Sequence, residues 1–349
     1  MKKIYGILSI FIVVCVLTAM MSPSFATPFN IERLILRTSL YGIISIGVAF
    51  VIITSGIDLS IGSVICLIGC GLPWLLIKMS LPLPVGLLIV ILASVVIGLL
   101  HGLLVTKLRL QPFVVTLCGL LMYRGITRGF TGDQTQGFGK LFEGLRWIGT
   151  GRIAVPGVPL ETFGLPVPFF LLLFVTIVAS IFLNRTIYGR YLLALGRNEQ
   201  AARYSGINTD LMIILAYVIC AGLAGVGGVL FILDTNSAQP ADFGNFYELY
   251  AIAAAVLGGC SLRGGQGTII GVVIGAALMQ VLRNMITLVD WIPTHIEYAV
   301  IGAVILVGVM ADEVVKRVAA ARRAMLLHNR LNSLYSSRLH TERSTKKMF

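Results

Sequence analysis

Charge is what this sequence holds least of. Only 12% of its residues are Asp, Glu, Lys or Arg, about half the share of an ordinary soluble domain, while 57% are hydrophobic and mean hydropathy is +0.93. A water-soluble globular domain is excluded. No phosphate-binding loop of the GxxxxGK[ST] type is present: Lys140 follows Gly139, but the first glycine and the closing Ser or Thr are missing. ATP hydrolysis by the usual loop is therefore not expected of this chain, and any ATP energy must come from a partner. The six cysteines, Cys15, Cys66, Cys70, Cys118, Cys220 and Cys260, fall in or beside apolar runs, with none at zinc-ligand spacing beside a histidine. They read as small buried hydrophobes. No catalytic cluster, metal site or bound cofactor is expected. Acids at mid-span are too few for a proton or sodium relay, which argues against an ion-coupled secondary transporter.

Long apolar runs are there instead. They cover approximately 4–21, 39–54, 57–77, 83–105, 112–127, 165–183, 211–233, 248–259, 268–288 and 295–311. Each approaches the roughly 20 helical residues needed to cross ~30 Å of hydrocarbon, so the fold class is all-α and polytopic, with about ten transmembrane helices. The run at 248–259 is short, and the turn near 55 is tight enough for a broken or re-entrant helix.

The formal net charge of +12 does not indicate nucleic acid, because the basic residues lie between apolar runs and in the last stretch. Placing both termini in the cytoplasm puts Lys2, Lys3, Lys107, Arg109, Arg185, Arg190, Arg197, Arg203, Arg263 and the tail on the positive side. The opposite side then holds Arg33, Arg37, Lys78 and a long loop from Arg128 to Gly164 with four basic residues. Lys2 and Lys3, an apolar stretch and Ser24-Phe25-Ala26 resemble a cleavable signal, but the run exceeds the usual h-region and reads as an uncleaved anchor. Residues 1–312 form the membrane domain, and 313–349 a basic cytoplasmic tail, expected to be disordered and drawn to anionic lipid.

The 38 glycines suggest close helix packing, with GxxxG spacing at Gly98/Gly102, Gly267/Gly271 and Gly271/Gly275. The run from Ala221 to Gly228 predicts a helix nearly bare of side chains on one side. Among the ionisable residues at membrane depth, His101 reads as a hydrogen-bonded packing residue, and Arg124, Glu248 and Glu297 as snorkelling to the interface.

The loop at about 184–210 carries a short capped helix. Asn198 suits its N-cap, Glu199 its positive end, Ala201 and Ala202 its body, and Gly206 its close. Such a helix suits docking into a cleft on a soluble protein. Three motifs, in this order, then carry a resemblance: Gly56-Ile57-Asp58-Leu59-Ser60-Ile61-Gly62; Gly189-Arg190 through Gly206-Ile207; and Ser237-Ala238-Gln239-Pro240 with Tyr247-Glu248-Leu249 and Gly258-Gly259-Cys260-Ser261-Leu262-Arg263-Gly264-Gly265-Gln266-Gly267. Over roughly 30–312 the chain resembles the permeases of bacterial ABC importers, most of all the ribose, xylose, arabinose and galactofuranose type of monosaccharide permease.

The resemblance implies a ten-helix permease of the bacterial inner membrane, paired with a second permease, the same chain or a paralogue. It further implies a cytoplasmic ATPase that binds ATP and Mg, and a periplasmic or extracellular sugar-binding protein. Carried over by position, Gly196, Asn198, Glu199, Ala201, Ala202, Arg203 and Gly206 form the ATPase-coupling helix, with Arg203 placed to pair with acids of the ATPase. Gly56, Asp58, Ser60, Gly62, Gln239, Tyr247, Glu248, Gly258, Gly259, Ser261, Gly264 and Gly265 lie in family motifs near the translocation path. Asn236, Gln239, Tyr247, Glu248 and Asp58 are candidates to meet a sugar, or to stabilise a loop. Ser55 departs from the pattern, standing where a second glycine is common, as do Arg197, Cys260 and Arg263. The alternative within the superfamily is a branched-chain amino acid permease.

Overall fold

The structure, a computed structural model, describes residues 2–289, 293–303, 306–307 and 310. Its helices are α1 (Lys2–Met21), α2 (Pro28–Ile53), α3 (Ile61–Pro73), α4 (Leu83–Thr106), α5 (Pro112–Thr131), α6 (Glu143–Thr150), α7 (Val167–Arg185), α8 (Ile187–Arg197), α9 (Glu199–Tyr204), α10 (Thr209–Thr235), α11 (Tyr247–Leu257) and α12 (Ile269–Leu288). One small antiparallel pair, β1 (Arg152–Ala154) with β2 (Gly164–Pro166), is the exception to the all-α expectation. The chain divides into two compact units, Met1–Tyr298 and Ala299–Phe349. Of the second, residues 299–303, 306–307 and 310 are described and helical. The expected boundary at 312 and the basic tail 313–349 lie outside the described residues.

Among the described residues six helices are long and apolar enough to cross a membrane: α2, α3 with the turn that extends it, α4, α7, α10 and α12. The chain is a multi-pass membrane protein. α1, α5 and α11 match the first, fifth and eighth apolar runs. α11 has 11 residues, about 16 Å of helix and too short to cross alone. α2 begins at Pro28, not near 39 as expected, so Glu32, Arg33 and Arg37 sit on its first turns instead of in a loop. Pro28 favours that start, since proline fits the first turn of a helix. Pro73 lies inside α3, where it removes a donor, and the helix widens into a π turn over Trp74–Lys78 directly after it.

α10 is the axis of the bundle and packs against α4, α2 and α3. Its bare stretch does not present one smooth side, as the sequence suggested. Gly225 faces Ser94 of α4, Gly227 faces Ile44 of α2 and Gly228 faces Ile65 and Ile68 of α3. Successive helical residues turn by about 100°, so a cluster of glycines in sequence serves three neighbours. The GxxxG pair of α4 packs on α10 directly: a Cβ at Gly98 would lie 2.5 Å from the Tyr217 carbonyl oxygen, and one at Gly102 2.6 Å from Ile214 Cα. Gly98→Val therefore overpacks the α4–α10 seam. A loss on the order of 1–3 kcal/mol is expected, read as a lower melting temperature of the detergent-solubilised chain.

Candidate functional site

Three features stand out along the length of the bundle, the first at the end that carries the loop between α7 and α10. There Thr186 Oγ1 accepts from Gly189 N at 3.1 Å to start α8, and Asn198 Oδ1 accepts from Ala201 N at 2.9 Å to start α9. Gly206, at φ +83°, closes α9 with bonds from Gly206 N to Arg203 O and from Ile207 N to Ala202 O. A left-handed residue is what ends a helix this way. The capped helix read from the sequence is present.

This loop is seated on the bundle by backbone. A Cβ at Gly196 would overlap the Ile53 carbonyl and the Gly265 amide, and Gly265 N donates to Ile53 O at 2.8 Å. Ser55, held at φ +66°, donates its hydroxyl to Arg263 O at 3.0 Å and Gly196 O at 3.2 Å. The position at which the family commonly has glycine is thus one that favours glycine, and the serine present uses its hydroxyl to join three segments. Gly264 and Gly265 belong to this seat, whereas Gly56 packs on Val51 and the Tyr217 hydroxyl. Gly258 packs on Gly271 and Val272 of α12, Gly259 takes φ +90°, and Ser261 N bonds Gln266 O to close the turn between α11 and α12.

Arg203 is exposed, as expected, and it also forms bonds within the chain. It bonds Glu199 at 3.1 Å, Asp210 at 3.2 Å and Thr209 Oγ1 at 2.9 Å, and Lys107 adds a second cation to Asp210 at 2.9 Å. The sequence reading passed over Tyr204, 89% exposed at the end of α9. A large aromatic at the tip of a capped loop was the available signal.

The second feature is a sealed polar layer. Asp58 is 1% exposed and its Oδ1 accepts from Ser60 N at 2.9 Å and Ser60 Oγ at 2.6 Å. His101 Nδ1 lies 4.0 Å from Asp58 Oδ2, and its Nε2 is 2.9 Å from the Tyr123 hydroxyl. Tyr217 OH donates to Ile57 O at 3.1 Å. The segment from Thr54 to Ser60 is not helical, and these side chains tie it to α4, α5 and α10. Asp58 and Ser60 hold backbone in place, and His101 packs with a hydrogen bond as expected.

The third feature is the crossover from Asn236 to Phe246. Arg124 of α5 donates to Pro240 O at 3.1 Å and Phe243 O at 2.6 Å. Cys66 and Cys70 of α3 donate their thiols to Pro240 O at 3.4 Å and Ala238 O at 3.7 Å. Arg124 does not snorkel, and these two cysteines are more than hydrophobic filler. Glu248 is buried as well, packed where a Cβ on Gly62 would collide with its carboxylate. Gln239 and Asn236 bind loop instead of lining a passage: Gln239 Oε1 accepts from Thr135 Oγ1 at 2.5 Å, and Asn236 bonds Gly139 O and Phe138 N, each at 2.8 Å. Two of the four basic residues of the 128–164 loop are paired. Arg128 holds Asp133 with bonds as short as 2.6 Å, which keeps the Asp133 carboxyl below the usual carboxylate range, and Arg152 pairs with Glu32 at 3.1 Å.

Of the residues expected near a passage, Tyr247 lines a cavity. This space of about 700 Å³ lies between α2, α11, α12 and the residues that follow the turn at Thr294–Ile296, and Arg33, Arg37, Thr235 and Asp242 also line it. Arg283 and Glu297 meet in it at 2.6 Å. Tyr41 accepts from Arg283 at 3.2 Å, Tyr250 donates to Glu297 at 3.1 Å, and the guanidinium sits 4.6 Å from the Tyr250 ring centre. Glu297, expected to snorkel, is held in this group. Tyr41, Tyr250 and Gln280, all buried, were missed by the sequence reading because they sit on three separate helices.

The profile of the family described as branched-chain amino acid transport system / permease component matches residues 30–309. The chain belongs to this permease family. The ribose import permease protein RbsC of Haemophilus influenzae is 36% identical over 303 residues, covering 86% of this chain and 90% of the relative. RbsC of Bacillus subtilis is 33% identical over 313 residues, 89% of this chain and 93% of the relative. The xylose transport system permease protein XylH of Escherichia coli is 31% identical over 338 residues, 82% and 86% of the two chains. No solved structure matches the chain.

In this permease the Asp58 layer makes a separable prediction. Asp58→Ala leaves the Ser60 amide and hydroxyl without an acceptor and costs about 1–3 kcal/mol. Asp58→Asn keeps an acceptor and loses less. Parallel thermal melts of the two purified variants check the order.

Proposed function

We propose that the chain is the membrane-spanning subunit of an ATP-driven importer, passing a monosaccharide delivered by a binding protein on the far side. The carrying observation is the seat of the α8–α9 loop. Gly196 meets the end of α2 and the turn before α12 with no side chain between them, so a displacement of α8 and α9 passes directly into two spans. A cytoplasmic ATPase that binds ATP and Mg, docked on Tyr204, Glu199 and Gln200, supplies that displacement, and the spans rock to open alternately to each side. A second permease, the same chain or a paralogue, completes the pair. The loop then faces the cytoplasm, the cavity opens outward, and the membrane is the bacterial inner membrane.

Two observations support a sugar over a branched-chain amino acid. The similar proteins carry the names of ribose and xylose permeases. The cavity lining also mixes aromatic rings with amide and carboxylate groups, the pairing that holds a sugar's apolar faces and hydroxyls.

Proteoliposomes holding the permease, the ATPase that co-purifies with it and the binding protein are expected to take up D-ribose or D-xylose only with ATP inside the ATPase compartment. Uptake of L-leucine in their place moves the cargo to the amino acid class, and uptake driven by an ion gradient without ATPase overturns the proposal. Gly196→Val is expected to leave the ATPase bound but lower uptake per ATP hydrolysed by tenfold or more, checked by measuring both rates on the same vesicles.

A further inference from the structure

Gln280 on α12 is 4% exposed and lines the cavity, yet its amide nitrogen finds no hydrogen-bond partner among the described residues. A buried amide without a partner is unfavourable and calls for a reason. Around it the other polar groups are already fixed. Arg283 is held by Glu297 and Tyr41, and Asn284 is held by Asn30 at 2.8 and 3.0 Å. Both bonds to Glu297 go to Oε1, and neither uses Oε2. Tyr41, Tyr247 and Phe231 pack with ring centres 4.7 to 5.2 Å apart and stiffen one wall. Phe246 and Tyr298, 46% and 61% exposed, meet at 5.1 Å and lie toward solvent. The cavity's volume of about 700 Å³ falls within the range of small-molecule sites, ~300–1,000 Å³.

We infer that this cavity is a resting site for one monosaccharide within the permease itself, built around the open donor of Gln280 and the open acceptor of Glu297. The inference rests on the reading of the cargo as a sugar. The amide nitrogen donates to one hydroxyl oxygen, Glu297 Oε2 accepts from another hydroxyl, and Arg283, already tied to Glu297, positions that carboxylate. The exposed rings of Phe246 and Tyr298 offer an apolar surface to the sugar's C–H face. A neutral polyol fits better than a zwitterion, because Arg283 is already paired with Glu297, and Arg33 and Arg37 with Asp234.

The test uses the reconstituted importer with D-ribose and D-xylose as probes. Gln280→Leu, close in size and without the donor, is expected to raise the KM for uptake about tenfold while the melting temperature of the sugar-free permease holds or rises, since the unpartnered amide is gone. Glu297→Gln is the second variant, expected to raise KM in the same direction. Saturation-transfer NMR on the solubilised permease, without the binding protein, is expected to show sugar contact that both variants lose. Unchanged KM and unchanged contact in both variants, with wild-type pentose uptake intact, overturns the resting site and leaves the importer reading standing. Absence of pentose uptake by the wild type overturns both, and displacement of the sugar signal by L-leucine overturns the polyol assignment.

Discussion

A buried carbonyl has no water to turn to, and that constraint shapes everything around the crossover between α10 and α11. The chain leaves its helix at Thr235 and does not resume one until Tyr247. The carbonyls of Ala238, Pro240 and Phe243 therefore need donors from outside the segment, and they come from Arg124, from Cys66 and Cys70, and from the Gln136 amide, which donates to Ala238 O at 2.9 Å. Close approach follows from the same need. A Cβ on Gly62 or Gly244 would collide with the other's carbonyl, and one at Gly69 would sit 2.5 Å from the Phe243 ring. Donors and glycines together let irregular backbone lie against two helices, and the crossover in turn sets where Tyr247 and Tyr250 stand.

The same economy operates at the other end of the bundle. There the end of α2, the close of α8 and the turn before α12 touch backbone to backbone. Side chains at such a junction would add rotamer freedom and absorb small shifts. Packed interiors without that slack transmit displacement. Rigid coupling at one end and a partly open cavity at the other is the arrangement alternating access calls for.

The apolar runs were legible because membrane spans announce themselves by length. The caps at Asn198 and Gly206 were legible because the chemistry of helix ends is local. The start of α2 was not. Glu32, Arg33 and Arg37 interrupt the apolar run, yet in the fold they find Arg152 and Asp234 across the bundle and the helix continues. The same failure explains Arg124, Glu248 and Glu297. Taken one at a time, a charge near a span end suggests snorkelling; what holds it lies on another segment of the chain, beyond the reach of a local pattern. The cavity is assembled from α2, α11 and α12, so Tyr247 stood out through its motif and Glu297 through its charge, without any sign that the two share a space. Ser55 was legible only as a departure from a glycine pattern; that it joins Gly196 and Arg263 comes from the fold.

The donors holding the crossover differ in kind. Arg124 binds it with charge-assisted bonds, which are short and strong, while the thiols of Cys66 and Cys70 are weak donors. The segment is thus stitched firmly to α5 and only lightly to α3. Against α3 it relies on close packing instead, since bare Gly62 and Gly69 let Gly244 and Phe243 come into contact. The crossover is thus gripped by charge on one side and by fit on the other.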